Sequence, residues 1–488
     1  MGIAWLLLRR TFTTRPKRTL LFILGYALAT AVMITLLSVG EAVLLQAQDK
    51  DLLGGGDLIL VPQGVDIESL KVGGLSALYY TIPHARFIVR QILGSSRFQH
   101  QIQTVSPYIV SKLMYARTKG SHQPEIAFAE GSLPDQEKAL KGIPLPWKNQ
   151  SEDQAWLRPA KEDFYHEIDH FHLPAVENPE MQRWAEWHYF NFESEDFYGY
   201  LSIMVAGNVL TDQANWIVSL QLSDGAYRRF SQTVPARKED LPLQRVDYHA
   251  GYNAIRFQDD HYEISLDFRD RVPISGKLSY YPASGLYFPP AVLARSKDLE
   301  SGYVIPALRG NYAGTLRVGS QTYKFDTAVG YHDHNWGIWR RIEWNWGHAY
   351  GKEHSIFFGE VLLEGKTKGL FLGIYDQHGF LSIFRPEHIQ FSDYQKRPEG
   401  IKVPMKMQIR QKKQFASLSL DGTVRSLVTT PVDDDHSLYF IQYRMDYDIS
   451  LEIDGKTVRF PAGGNAETFV RGSNPQQNHH RDTENAEK

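Results

Sequence analysis

The longest apolar run lies near the amino end. Thr19 to Gly40 (TLLFILGYALATAVMITLLSVG) carries no charged residue, and its length is what a helix needs to cross a hydrocarbon core. Arg9, Arg10, Arg15, Lys17 and Arg18 precede it, whereas Glu41, Asp49 and Asp51 follow. That charge asymmetry predicts a single-pass anchor in a cytoplasmic (inner) membrane, with the amino terminus cytoplasmic and the bulk of the chain periplasmic or otherwise extracytoplasmic. The run is too long for the apolar part of a cleaved signal, and no convincing A-x-A site follows it.

A second pattern takes over at Trp184. Glu186-Trp187-His188-Tyr189-Phe190-Asn191-Phe192 alternates, with Trp187 and Tyr189 on one side and His188, Phe190 and Phe192 on the other. Both faces are apolar enough to be covered. Short strands are predicted at Tyr198 to Val205, Asn215 to Leu222, Tyr227 to Thr233, Ala254 to Gln258, Tyr262 to Phe268 and Ser275 to Tyr281. Ser223-Asp224-Gly225 and Gln258-Asp259-Asp260 supply turns. From about Trp344 a further series runs through His354 to Leu363, Gly369 to Tyr375, Phe380 to Arg385, Met405 to Gln411, Phe415 to Leu420 and Ser437 to Asp448. Leu420-Asp421-Gly422-Thr423 reads as a hairpin turn of the Asp-Gly type. Even spacing without long helices predicts antiparallel barrels or sandwiches. A barrel of about eight strands encloses room for one small apolar ligand.

These patterns divide the chain. Residues 1–50 are the transmembrane anchor, 51–140 an extracytoplasmic stub, and 141–183 a linker and lead-in. Residues 184–338 and 339–472 form two β-units, and the polar tail 473–488 reads as disordered. The fold class is therefore mainly β, two antiparallel barrels in tandem behind one transmembrane helix.

Composition removes several functions. Formal net charge is −3 and the pI about 6.7, which gives no footprint for nucleic acid. Cysteine is absent, so disulfides, thiolate nucleophiles and Cys-ligated zinc are excluded. Aromatics at 12% favour β-structure or a ring-lined pocket. His166, Asp169, His170 and His172 cluster in the lead-in, but their spacing matches no known metal-binding helix and Pro174 breaks the pattern soon after.

The chemistry concentrates in Gly330-Tyr331-His332-Asp333-His334-Asn335-Trp336-Gly337. Protonatable groups among large rings suit acid–base work on a greasy substrate, because burial shifts their pKa values. The plain alternative is a structural corner whose histidines are satisfied by backbone groups. On a regular strand His332 and His334 share one face and Asp333 points to the other, so only one set faces a pocket unless a bulge intervenes.

Two resemblances bear on function. LRRTFTTRPKRTLLFILGYALATAVMITLLSVGEAV, GGGDLILVPQG at Gly54 to Gly64 and FAEGSLPD at Phe128 to Asp135 resemble the start of permease subunits of the MacB/FtsX type. No second apolar run of that length follows, so the chain is not a complete permease. WAEWHYFNFESEDFYGYLSIMV at Trp184 to Val205, GYHDHNWG at Gly330 to Gly337 and AETFVRG at Ala466 to Gly472 resemble the AttH/CrtC-like family, which includes the carotenoid 1,2-hydratases (hydroxyneurosporene synthases). That likeness implies two lipocalin-like barrels in tandem, no metal and no organic cofactor, and isoprenoid or polyketide substrates.

A hydratase of an isolated alkene needs a positioned acid, aromatic faces for the cation and a directed water. Asp333 is the candidate acid, and His332 or His334 would orient it or accept a proton. Tyr331, Trp336, Trp344, Trp346 and Trp187 are candidate ligand-stacking walls, with His188 and Tyr189 adding polar contacts. Three readings stand: a cofactor-independent hydratase, isomerase or cyclase (a carotenoid 1,2-hydratase-like hydro-lyase); a lipocalin-like carrier of a lipophilic small molecule; and an accessory protein to an ABC transporter ATPase or permease. No metal is assigned, although His332-x-His334 on a strand could serve zinc or iron.

Overall fold

The computed structural model describes residues 2, 5, 10, 12–48, 58–62, 80–117, 123, 125–142, 144, 146–172, 181–295, 299–339, 342–413, 416–432, 436–453 and 455–472. The tail from Ser473 therefore lies outside the described residues. The chain divides into two compact units, Met1–Thr81 with Thr104–Asp153, and Ile82–Gln103 with Gln154–Lys488.

The described helices are α1 (Pro16–Gln48), α2 (Ile82–Leu93), α3 (Pro134–Lys141), α4 (Ser151–Leu157) and α5 (Lys161–Ile168). Within α1, Pro16–Gly40 is long and apolar enough to cross a membrane, and none of it is buried. The same unit holds a two-stranded antiparallel sheet of β1 (Tyr108–Ala116) and β2 (Glu125–Ser132). Helix α3 starts with Pro134 and ends at Gly142, whose φ of 67° accommodates the left-handed C-cap.

The larger unit carries two antiparallel sheets. The first begins with β3 (Trp184–Glu193), β4 (Tyr198–Asn208), β5 (Gln213–Ser223) and β6 (Tyr227–Ala236). It continues through β7 (Asp247–Ala250), β8 (Asn253–Gln258), β9 (His261–Phe268) and β10 (Ile274–Pro282). Strands β11 (Phe288–Arg295), β12 (Leu299–Val318), β13 (Gln321–Lys324) and β14 (Val329–Trp339) complete it. Their order is β6-β5-β4-β3-β14-β12-β10-β9-β8-β7, with β11 and β13 paired to β12.

The second sheet starts with β15 (Ile342–Tyr350), β16 (His354–Leu363), β17 (Lys366–Asp376), β18 (Gly379–Phe384) and β19 (Gln390–Lys396). It ends with β20 (Lys402–Lys412), β21 (Ala416–Pro431), β22 (Leu438–Ile453) and β23 (Lys456–Arg471). Its order is β18-β17-β16-β15-β23-β22-β21-β20-β19. The fold class is as the alternation predicts: strands account for 56%, in two large barrel-like sheets behind one apolar helix.

Alternation sets the packing. Along β3 the buried Trp184, Glu186, His188, Phe190 and Phe192 share one parity, and Trp187 and Tyr189 take the other. One apolar core gathers Phe190, Ile203 and Leu220 of the first sheet, and Phe325 from the β13–β14 connection, together with Trp346, Phe357 and Tyr375 of the second. The sheets therefore share a layer, and Tyr375 Oη donates to the Tyr287 carbonyl at 2.7 Å across it. A separate core of Ile374, Phe384, Val403, Ile441 and Ile449 lies within the second sheet.

Two sequence expectations fail here for identifiable reasons. Asp421-Gly422 is no turn: both residues lie inside β21, opposite Asp448 and Tyr447. A Cβ at Gly422 would meet Met407 Cγ at 2.7 Å and Met445 Cε at 2.9 Å, so this glycine serves close packing rather than a hairpin. Strand β12 was not foreseen, because Pro306 and Gly310 punctuate it. Its pairing with β14 shifts register between Val304 and Ala307, and that irregularity is where a proline is tolerated.

A tight contact on β12 yields a stability prediction. Gly302 pairs with Trp336, and a Cβ there would lie 2.0 Å from the indole Cε2. The indole cannot simply swing away, since it stacks on His172 at 3.6 Å and 3°. Gly302→Ala is expected to destabilise the fold by about 1–3 kcal/mol in a denaturant melt; an unchanged midpoint would show that the ring relaxes freely.

Candidate functional site

Strand β14 lies between β3 and β12 and pairs with β3 in unbroken register from Val329 opposite Glu193 to Ile338 opposite Trp184. The HDHN stretch is therefore a regular strand, not a corner. Alternation then separates the candidates: Asp333 points into a cleft between the sheets, while His332 and His334 point into the interior of the first sheet.

The cleft is lined by Trp187 and Tyr189 of β3, Tyr303 of β12, Asp333 of β14, Trp344 and Trp346 of β15, and Glu467 of β23. Its cavity is about 60 Å³, room for a few waters or a small part of a ligand. A neighbouring cavity of about 40 Å³ shares Tyr189 and Glu467 and is also lined by Tyr198, Tyr200 and Tyr443. Tyr189 and Glu467 stand between the two cavities.

Asp333 is only 3% exposed. Tyr331 Oη donates to its Oδ2 at 3.0 Å, and Asn335 Nδ2 donates to its Oδ1 at 3.2 Å. Upstream, Trp346 Nε1 donates to Tyr303 Oη at 2.8 Å, and the Tyr303 and Tyr331 hydroxyls are 2.9 Å apart. An indole N–H can only donate, so each hydroxyl is satisfied when protons run from Trp346 through Tyr303 and Tyr331 towards Asp333. Burial, and then the neighbouring Glu467, push the Asp333 carboxyl well above the usual carboxylate range. Burial also raises Glu467, whose carboxyl accepts from Trp344 Nε1 at 3.1 Å and Gln442 Nε2 at 3.2 Å. Both oxygens of Asp333 receive a hydrogen bond, so its own proton occupies a remaining lone pair.

The opposite face of β14 carries a buried polar cluster. Asp169, in the loop after α5, accepts from Tyr262 Oη at 2.8 Å and meets His332 Nε2 at 3.0 Å through Oδ2. His332 Nδ1 faces the Tyr189 carbonyl at 3.0 Å, so that nitrogen carries a hydrogen. His334 bridges two carboxyls, with Nδ1 3.0 Å from Asp169 Oδ1 and Nε2 2.6 Å from Glu186 Oε1. His188 Nε2 lies 3.4 Å from Asp169 Oδ1, and His172 Nδ1 lies 3.2 Å from Glu186 Oε1. Burial alone would raise Asp169, but His332 and His188 hold it well below its ordinary value. Burial, together with His188, drives His334 far down, and burial drives Glu186 far up. The consistent assignment is an Asp169 carboxylate accepting from His334 Nδ1–H, with a protonated Glu186 donating to His334 Nε2.

The expected residues therefore fall into two groups. Asp333, Tyr331, Trp187, Tyr189, Trp344 and Trp346 gather at the cleft. His332, His334 and His188 do not meet Asp333, because they lie across the strand against Asp169. Trp336 joins that second group, stacked on His172 rather than facing the cleft. Three polar residues of the two groups were not foreseen as site residues, Tyr303, Glu467 and Glu186, and Asp169 was set aside with the His166 to His172 cluster. Glu467 stands within AETFVRG, and an acid at an alternating apolar position was its signal. Asp169 comes from the segment read as a linker and lead-in, where α5 and the following loop pack Phe164, Tyr165, Ile168 and Phe171 into the first core.

No protein-family model matches this chain, and no curated protein matches it by sequence. The likeness of the first 140 residues to permease subunits thus rests on their sequence alone. Among solved structures the chain is similar to an AttH candidate from Nitrosomonas europaea, at 12% identity and a TM-score of 0.42, over 61% of this chain and 97% of that one. It is also similar to CghA, at 10% identity and a TM-score of 0.44, over 63% and 97% of the respective chains. Kievitone hydratase from Nectria haematococca gives 10% identity and a TM-score of 0.39, over 62% and 94%. None of these scores reaches one half, and the functional reading rests on the residues themselves.

Proposed function

We propose that the seam between the two sheets binds a lipophilic, isoprenoid- or lipid-like molecule, and that Asp333 acts on it as a general acid in a cofactor-independent hydration, isomerisation or cyclisation. The observation that carries this reading is a buried carboxyl lining a cleft with Trp187, Tyr189, Trp344 and Trp346, where burial favours its neutral form. A neutral carboxyl can protonate an alkene, and indole faces stabilise the cation that forms. Glu467, on the same wall, is placed to take a proton from an attacking water. The motifs shared with the AttH/CrtC-like family agree with this chemistry and suggest a hydro-lyase of the carotenoid 1,2-hydratase kind. Anchoring through α1 would hold the chain at a membrane, a store of such substrates, with the bulk of the chain outside the cytoplasm by the charge rule.

A second reading has its own support. Both oxygens of Asp333 already accept hydrogen bonds, from Tyr331 and Asn335, which suits a carboxyl that only shapes a binding cleft. On that reading the chain is a lipid carrier, or delivers cargo to an ABC transporter through its amino-terminal segment.

Native mass spectrometry with lipid extraction separates the two. The full chain, expressed in an isoprenoid-producing host and purified in detergent, would be compared with Asp333→Asn. A hydrated or cyclised product on the wild type, with unmodified precursor on the variant, supports the enzyme. The same unchanged molecule on both supports the carrier. No retained lipophilic molecule on either contradicts both. Within the same assay Trp344→Ala is expected to lower retention about tenfold, since stacking of this kind is worth about 0.5–1.5 kcal/mol beyond area burial. Undiminished retention would place the ligand elsewhere.

A further inference from the structure

The buried cluster behind β14 is not used by the chemistry proposed for the cleft. Its donor atoms have the arrangement of a metal site. We propose that Asp169, His188 and His334 bind a divalent transition ion, with Zn²⁺ the best match, that ties the loop after α5 to β3 and β14.

Topology explains why these residues meet. His334 on β14 and His188 on β3 are direct cross-strand partners, with ring centroids 3.7 Å apart. Asp169 closes over them from the loop, and all three side chains have 0% exposure. Two edges of the donor triangle are measured: Asp169 Oδ1 to His334 Nδ1 at 3.0 Å, and Asp169 Oδ1 to His188 Nε2 at 3.4 Å. All three donor atoms lie within 4.8 Å of one another. Bonds of about 2.0–2.2 Å in a tetrahedron require ligand atoms about 3.3 Å apart, so little movement is needed. Two imidazoles and a carboxylate are ligands that zinc accepts.

The surroundings of His334 are those of a ligated histidine, whereas His188 Nε2 now lies 3.2 Å from the Asp169 carbonyl and would exchange that contact for the ion. On binding, the ion would displace the proton of His334 Nδ1 and Glu186 would pass its own proton to Nε2, 2.6 Å from its Oε1, which gives the carboxylate–histidine–metal arrangement that fixes ring orientation. Behind Asp169, Tyr262 and His332 hold the second oxygen at 2.8 and 3.0 Å. The neighbouring trio of His172, Glu186 and His334 fits less well, because its 2.6 Å edge is too short for two atoms on one ion. Among the described residues, neither Asp169 nor Glu186 is paired with a lysine or arginine; their ionic partners are histidines. A divalent cation would neutralise the Asp169 carboxylate and favour ionisation of Glu186 behind His334. His172, bonded to Glu186, keeps 19% side-chain exposure and is the point where the cluster comes nearest to solvent.

The test uses the full-length protein in detergent, stripped with a chelator and dialysed against Zn²⁺ or Co²⁺. About one ion per chain by elemental analysis, a Tm that rises with Zn²⁺, and visible d–d absorption with Co²⁺ are expected. His188→Gln and Asp169→Asn should lose the ion, while Asp333→Asn and removal of residues 473–488 should keep it. Glu186→Gln, behind the ligand, should weaken affinity about 10–100-fold. Should the ligand variants fail to fold, the wild-type cobalt spectrum and the tail-deleted protein still decide. No bound ion with no cobalt spectrum would overturn the proposal. So would metal that persists in folded His188→Gln and Asp169→Asn, or that disappears with the tail and its His479-His480 pair.

Discussion

Asp333→Asn is expected to slow conversion of the bound ligand by about 10²–10⁴-fold, the usual contribution of a positioned general acid, while leaving retention of that ligand unchanged. The substitution keeps the size of the side chain and an oxygen for the Tyr331 hydroxyl. It removes the transferable proton, and the new amide NH2 requires Asn335 to present its side-chain oxygen in place of Nδ2. The same variant should be more stable than the wild type at neutral pH. The folded carboxyl titrates well above its ordinary value, whereas the unfolded one ionises near pH 4. Between those two values the folded state holds the extra proton, so wild-type stability falls as pH rises through that window. Asparagine has no such dependence. Melts of both proteins across the window should diverge towards high pH, and turnover by the wild type should fall on the alkaline side. A variant that is less stable at pH 7 and fully active would contradict both the pKa direction and the role.

The second large effect concerns Asp169. Its carboxylate joins His332, His334, His188 and Tyr262 in a space sealed from water. Removing one partner from a buried charged network leaves the others desolvated without compensation, at a cost of about 3–5 kcal/mol. Asp169→Ala is therefore expected to lower the denaturation midpoint by that amount, far beyond an ordinary surface substitution. The Tyr262→Phe change removes one neutral donor to the same carboxylate and should cost about 1.5–3 kcal/mol, as hydrogen bonds to charged groups do. Equal, small effects for both substitutions would show that the cluster is solvated.

Much of this was legible in the chain. Alternation along Trp184 to Phe192 correctly separates Trp187 and Tyr189 from His188 and Phe190, because period-two patterning fixes facing wherever both faces are covered. The same rule separated Asp333 from His332 and His334 once β14 proved free of bulges against β3. What the pattern could not supply was the partners across space. Asp169 sits 163 residues before His332 in the sequence, and no local spacing reports that distance. Glu467 reaches the cleft only because β23 pairs with β15, a contact that joins the two ends of the second sheet's sequence. Asp421-Gly422 misled because the dipeptide favours a hairpin locally, and the demand for a glycine under Met407 and Met445 is purely tertiary.

The protonation state of Asp333 is the most direct test. Infrared difference spectra between the wild type and Asp333→Asn, recorded at neutral pH on the full chain in detergent, isolate this one carboxyl from Glu186 and Glu467. A protonated C=O stretch present in the wild type and missing from the variant is the expected result, and it should shift when a lipophilic ligand enters. A carboxylate band in its place would contradict the account, because an ionised Asp333 has no proton to give.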